Sequence, residues 1–195
     1  MPIIETARAK EFVSLLRARV SDHTLRHCIF TAEYMASFAA QAEITNDEAV
    51  TAGLLHDLCK GMADAELLAA ANEHGITLND TQRLKPGLLH GPVAAEECRR
   101  DLGIADQAIY DAIYWHSTGH PEWGKVGLAL YVADFAEPSR TFSEAEQARY
   151  ILRREGFKPA LLYVSTRKLE HVRTKPHVDP TTEVFHAWLT AELER

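Results

Sequence analysis

The chain has 195 residues, with 21 Lys and Arg set against 28 Asp and Glu for a formal net charge of −7, which excludes a protein whose main work is gripping a nucleic-acid backbone. That length suits one domain able to bury a substantial core without staples. The three cysteines, Cys28, Cys59 and Cys98, are odd in number, lack paired spacing and sit in apolar surroundings, so they read as reduced core thiols, which favours the cytoplasm.

Apolar residues recur at helical intervals and sustained period-2 alternation appears nowhere, so the predicted class is all-α. The N-terminal "MPIIETARAKEFVSLLRARV" mixes charges with apolar residues and has no unbroken apolar run, so it reads as neither a secretory signal nor a membrane span, and no membrane partner is expected. Residues 5–20 place Phe12, Leu15, Leu16 and Val20 on one helical face; Ser21 or Asp22 then caps a second helix to about Ala40. Asn46 or Asp47 opens a third helix ending near Lys60, and Asp64 caps a fourth that stops at His74-Gly75. After a loop around "RLKPG", Pro92 suits the first turn of a helix through about Leu102, and Ala105 to His116 forms another. "SEAEQARY" and "DPTTEVFHAWL" both open with capping residues and acidic first turns. The loops of interest are 60–63, 84–91, 117–125 and 136–143. No repeat, low-complexity tract or linker divides the chain.

The stretch "AGLLHDLC" sets His56 and Asp57 against apolar neighbours, and a carboxylate buried there without a partner costs several kcal/mol. Asp134 poses the same problem as the only charge in "VGLALYVADF". A salt bridge, to Lys60 or an arginine for Asp57 and to Arg140 for Asp134, is the bland solution. His27, His90 and His116 also fall on inward-facing helical positions or helix ends, where each alone reads as a core, cap or loop histidine. Together, four such histidines and two aspartates form a ligand inventory for borderline divalent metals, enough for two ions sharing a carboxylate.

In chain order, "HTLRH", "LLHDLCK", "LLHGPVAA", "WHSTG" and "VADFAEPSR" resemble the motifs of the HD-domain metal-dependent phosphohydrolases, and more narrowly those of the YqeK family of symmetrical diadenosine tetraphosphate hydrolases. The likeness runs over residues 21–140, and "PHVDPTTEVFHAWL" is similar to that family's tail. The resemblance implies one HD helical bundle over 1–195, with a two-metal site in its core and C-terminal helices over 143–195 packed on it. It implies that His27, His56, Asp57 and Asp134 hold one ion and that His90 and His116 hold the second, with Asp57 bridging. Iron is the metal it favours, with manganese or another transition metal as alternatives.

Two such ions about 3.5–4 Å apart can activate water near neutral pH and stabilise an in-line phosphoryl displacement, so no serine or cysteine nucleophile is required. Besides Asp57, the catalytic candidates are Lys60, one helical turn after the ligand pair, and Arg140, which follows Asp134 in a loop; both are cations for developing phosphate charge. Lys60, Arg140, His23, Thr118 and Gly119 are the expected substrate contacts, His23 lying one turn before His27 and the Thr118 hydroxyl and Gly119 N–H standing just past His116. Surface ion pairing is the better account of Arg83, Lys85 and Lys125. The activity that the resemblance implies is symmetrical cleavage of diadenosine tetraphosphate to two ADP. The alternatives are an HD hydrolase of another nucleotide or phosphate ester, a two-iron oxygenase, and a regulatory nucleotide-binding domain. The partner is a small nucleotide, and the amphipathic terminal helices could pack on the core or on a second subunit.

Overall fold

A computed structural model describes residues 3–193, whose regular secondary structure is helical, with no strand among them. The first helices are α1 (Ala7–Arg19), α2 (Asp22–Ser37), the short α3 (Ala39–Ala42), α4 (Asn46–Leu55) and α5 (Asp64–Glu73). They are followed by α6 (Asp80–Leu84), a 3₁₀ turn over Pro86–Leu89, α7 (His90–Arg100), α8 (Gln107–Trp115) and α9 (Lys125–Ala136). The chain closes with α10 (Ser143–Arg154), α11 (Phe157–Arg173) and α12 (Pro180–Leu193).

Two helices form the centre. Every residue of α4 from Ala49 to Leu55 is buried, and so is most of α9, including the unbroken run Ala129–Ala133. A helix that is apolar on all sides must be covered on all sides. The cover comes from α1, α2 and α8 around α4, and from α2, α8, α10 and α11 around α9. At Gly53 a Cβ would stand 2.5 Å from the Ala32 Cα, so only glycine lets α2 and α4 approach this closely.

The N-terminal caps follow the chemistry of the sequence with small shifts. Ser21 caps α2 by accepting from Thr24 N at 3.2 Å. The cap of α4 is Thr45, one residue earlier than expected, in a reciprocal pairing with Glu48. Asp64 is the first helical residue of α5, and the Ala63 N–H donates to Glu66.

One difference shapes the site. The helix expected to reach Lys60 stops at Leu55, and residues 56–61 follow as successive turns closed by bonds such as Lys60 N to Asp57 O at 2.9 Å. Helix α11, 17 residues long, is an element the sequence reading did not locate. It opens after Gly156 with no side-chain cap bond and no acidic first-turn residue, so the usual start signals are missing.

Candidate metal centre

Four histidines and two aspartates, spread from position 27 to position 134, meet between α2, the end of α4, the start of α7, the end of α8 and the last turns of α9. His27 projects from α2, His56 and His116 sit at the C-caps of α4 and α8, and His90 is the first residue of α7. All four rings are buried, as is Asp57.

A shared local device orients three of these rings. In each, Nδ1 lies against the carbonyl three residues upstream: His56 on Gly53 O at 2.9 Å, His90 on Gly87 O at 2.5 Å and His116 on Ile113 O at 2.8 Å. A carbonyl only accepts, so Nδ1 carries the proton and Nε2 presents its lone pair. For His27 the acceptor is the Glu137 carboxylate, 3.1 Å from Nδ1. A partner on the far nitrogen is the usual arrangement for histidines that bind metal.

The four Nε2 atoms therefore face one another. His27 and His56 are 3.2 Å apart at Nε2, and His90 and His116 are 2.9 Å apart. Asp57 lies between the two pairs. Its Oδ1 is 3.0 Å from His90 Nε2 and 3.5 Å from His116 Nε2, and its Oδ2 is 3.6 Å from His56 Nε2 and 3.9 Å from His27 Nε2. The result is two triads, His27–His56–Asp57 and Asp57–His90–His116, each with ligand atoms within 4.8 Å of one another. Lone pairs opposed at hydrogen-bond distance need a positive centre between them, and imidazole with carboxylate suits borderline divalent ions. The donor set fits a divalent metal site.

Electrostatics agree with that reading at Asp57, His56 and His116, and oppose it at His27, whose proton a cation would have to displace. Burial would raise the Asp57 carboxyl, but His56, His116 and His90 outweigh it and hold Asp57 well below the usual carboxylate range. Burial pushes His56 down to about 3 and also lowers His116, so both rings stay neutral and able to donate a lone pair. His27 also loses by burial, yet its bonds to Asp134 and Glu137 prevail and lift it to about 9.

Asp134 flanks the first triad. Its Oδ1 is 3.1 Å from His27 Nε2 and 3.9 Å from His56 Nε2. Its other oxygen lies 3.5 Å from Lys168 Nζ on α11. That ammonium is also 3.4 Å from His116 O and 3.8 Å from the Tyr131 ring centroid. The two cations singled out from the sequence reach one triad each. Lys60 Nζ is 3.4 Å from Asp57 Oδ1 and 3.3 Å from His90 Nε2, and Arg140 Nη2 is 3.4 Å from both Asp134 Oδ1 and His27 Nε2.

Other expected contacts are not brought to the cluster. Thr118 Oγ1 donates to Gly119 O at 3.1 Å, and the Gly119 N–H donates to Trp115 O at 2.7 Å. Both groups are thus spent on closing the end of α8. Gly119 itself has φ +74° and lies against Phe185, whose ring a Cβ would strike at 2.3 Å. His23 is exposed on α2, with no hydrogen bond or ion pair among the described residues. Lys125 pairs with Glu43, while Arg83 and Lys85 bond backbone carbonyls. The cysteines are free and buried, and burial raises all three thiols.

Sequence reasoning passed over Glu137, Ser117 and Lys168. Glu137 and Ser117 lie inside the quoted motifs "VADFAEPSR" and "WHSTG". An acidic residue directly after the apolar Phe135-Ala136 is the same signal that exposed Asp57. The Ser117 hydroxyl is 3.1 Å from His116 Nε2 and 3.4 Å from His90 Nε2. Lys168 carries no comparable signal, because it reaches the site only through the packing of α11.

Known proteins share this architecture. A crystal structure from Clostridium acetobutylicum, described as that of a predicted HD superfamily hydrolase involved in NAD metabolism, superposes with a TM-score of 0.87 at 22% identity, covering 94% of this chain and 97% of that one. The symmetrical bis(5'-nucleosyl)-tetraphosphatase of Bacillus subtilis is 23% identical over 93% of this chain and 97% of its own length. The protein of the same name from Staphylococcus aureus is 25% identical over 79% of each chain. The model of the HD domain matches residues 24–147, which include all six clustered histidines and aspartates. With that span covering more than half of its length and the paired triads in place, the chain belongs to the HD domain family.

Proposed function

We propose that the protein hydrolyses diadenosine tetraphosphate symmetrically to two ADP, using two divalent cations held by the buried histidines and aspartates. The observation that carries this reading is the sharing of Asp57 between two triads, one oxygen facing each. The names of the Bacillus and Staphylococcus relatives supply a bis(5'-nucleosyl) tetraphosphate as the substrate class and the symmetry of cleavage.

In this proposal His27, His56, Asp57 and Asp134 would hold one ion and His90 and His116 the other, with Asp57 shared between them. Iron suits the mixed imidazole and carboxylate donors, with manganese as the alternative. Bound ions would supply Lewis acidity that activates water near neutral pH and offsets charge building on the phosphoryl oxygens. The chain's own groups do the rest. The carbonyls of Gly53, Gly87 and Ile113 and the Glu137 carboxylate hold the rings with Nε2 inward, so little reorganisation is needed when substrate arrives. Lys60 and Arg140 flank the two triads and stabilise negative charge on the attacked and departing oxygens. On a chain of net charge −7, these cations provide the local attraction a polyphosphate requires. Substrate and buried thiols both suit the cytoplasm.

The test is product analysis of metal-loaded protein against a panel of dinucleoside polyphosphates, with metal content measured on the same sample. ADP as sole product of the tetraphosphate supports the proposal. Release of AMP with ATP, or turnover of other nucleotides only, overturns it.

A further inference from the structure

The turn that leaves α9 carries two side chains of the site, and it lacks the usual means of closing a helix end. Helix α9 ends at Ala136, and the last carbonyls of a helix have no intrahelical partner. Glu137 departs with ψ 153°, and Pro138 has no N–H to turn back onto them. Helices commonly close on a glycine in the left-handed region, but residues 137–141, "EPSRT", include none.

The missing donor comes from α10. Arg149 directs one guanidinium nitrogen, Nη1, at three carbonyls: Ala136 O at 3.0 Å, Glu137 O at 3.2 Å and Arg140 O at 3.1 Å. Its side chain is half-buried, and a cation there also suits the negative end of the α9 dipole. One side chain thus fastens both ends of the turn 137–140 to the helix that precedes it. Arg149 lies beyond the matched residues 24–147.

We infer that Arg149 is a positioning residue of the metal centre, setting the backbone from which Glu137 reaches His27 and Arg140 reaches Asp134. The inference rests on the two-cation reading proposed above. Glu137 accepts from or faces His27 Nδ1 at 3.1 Å, and Arg140 Nη2 is 3.4 Å from Asp134 Oδ1. Both side chains hang from carbonyl-bearing residues that Arg149 grips directly. Without it the three carbonyls must turn to water, and the turn loosens with both groups on it. The second triad is independent of this device, because His90 and His116 take their orientation from Gly87 O and Ile113 O. Loss of Arg149 is therefore selective for the first triad, which a general loss of stability would not be.

Calorimetric titration of the metal-free protein with manganese(II) tests this without any turnover. Wild-type protein is expected to take up two ions. Arg149→Ala is expected to weaken one of them about tenfold and to leave the other within about twofold. In a Glu137→Gln background the same substitution is expected to add less than about twofold, because it acts through a group already lost. Arg149→Lys keeps the charge but not the planar fork, so its loss is expected to fall between those of wild type and Arg149→Ala; if Arg149→Ala does not fold, Arg149→Lys carries the same comparisons. Turnover of manganese-saturated Arg149→Ala is expected to be about tenfold below wild type and to recover about half of the deficit in millimolar guanidinium, too dilute to unfold the protein. Equal weakening of both ions, a full additional loss on top of Glu137→Gln, or wild-type affinity in both Arg149 variants overturns the role. Manganese uptake without turnover in the wild-type protein overturns the reaction, and the titrations still decide the role of Arg149. Wild-type protein that takes up no manganese overturns both.

Discussion

His27 and Glu137, 110 positions apart in the chain, are joined at 3.1 Å between Nδ1 and a carboxylate oxygen in a fully buried contact. Ser139 holds the same carboxylate through its backbone N–H at 2.6 Å and through its hydroxyl. Burial opposes ionisation of Glu137, but these bonds overcome it and keep the carboxyl below its ordinary range. Glu137 thereby fixes which nitrogen of His27 faces the cluster. Replacing it by glutamine preserves shape and removes the charge. Glu137→Gln is expected to weaken metal affinity about 10- to 100-fold, read by titrating the apoprotein with metal.

Asp57 is the one carboxylate common to both triads. Asp57→Asn keeps the volume but removes the negative charge facing two pairs of lone pairs. Turnover is expected to fall about a thousandfold or more, equivalent to about 4 kcal/mol of barrier, with bound metal below two ions per chain. Elemental analysis and product chromatography on one preparation check both, and full occupancy in the variant would refute a bridging role.

Lys60 and Arg140 make a different prediction, since neither is among the proposed metal ligands. Lys60→Ala or Arg140→Ala is expected to lower kcat about 10²- to 10³-fold, as for loss of a fixed charge-stabilising group, with metal content unchanged. Metal loss parallel to activity loss would reassign them to metal retention.

Stability of the chelator-treated protein should pass through a maximum as pH is varied. His56, held down at about 3, is neutral in the fold but takes up a proton below pH 6.5 when unfolded, so its contribution is present above 6.5 and lost as pH falls. His116 acts in the same direction, and Asp57 and Asp134, both held well below 3.8, add to the loss at lower pH. His27, raised to about 9, contributes stability fully present below 6.5 and lost as pH rises toward 9. The maximum is therefore expected near pH 6.5. Added divalent metal should move it upward, because ligand rings must be unprotonated. Urea midpoints measured from pH 4 to 9 decide the matter; a metal-free maximum at pH 8 or above would contradict it.

Gly53 tests the packing that brings α2 to α4. Gly53→Ala forces a Cβ to within 2.5 Å of the Ala32 Cα and 2.8 Å of its N, both backbone atoms that cannot rotate away. Destabilisation of about 1–3 kcal/mol is expected from this overpacking, read as a lowered denaturation midpoint. Because His27 and His56 sit on these two helices, metal affinity should fall as well.

Much of this protein was legible in its residues. The 3.6-residue period, with no competing period of two, specified an all-helical chain. Aspartates in apolar runs marked Asp57 and Asp134, because an unpaired buried charge is too costly to be accidental. The order of the histidine motifs carried the resemblance to a family now matched over residues 24–147. What local pattern could not supply was distance. Stopping α4 at Leu55 rather than Lys60 depends on the packing around it, and so does the facing of four Nε2 atoms. Lys168 meets the cluster only because α11 docks on α9, joining positions 134 and 168. Short-range preferences determine which segments coil and which side chains must turn inward. Only the long-range packing of those coils decides which inward side chains meet, since contact energy depends on separation in space and not along the chain.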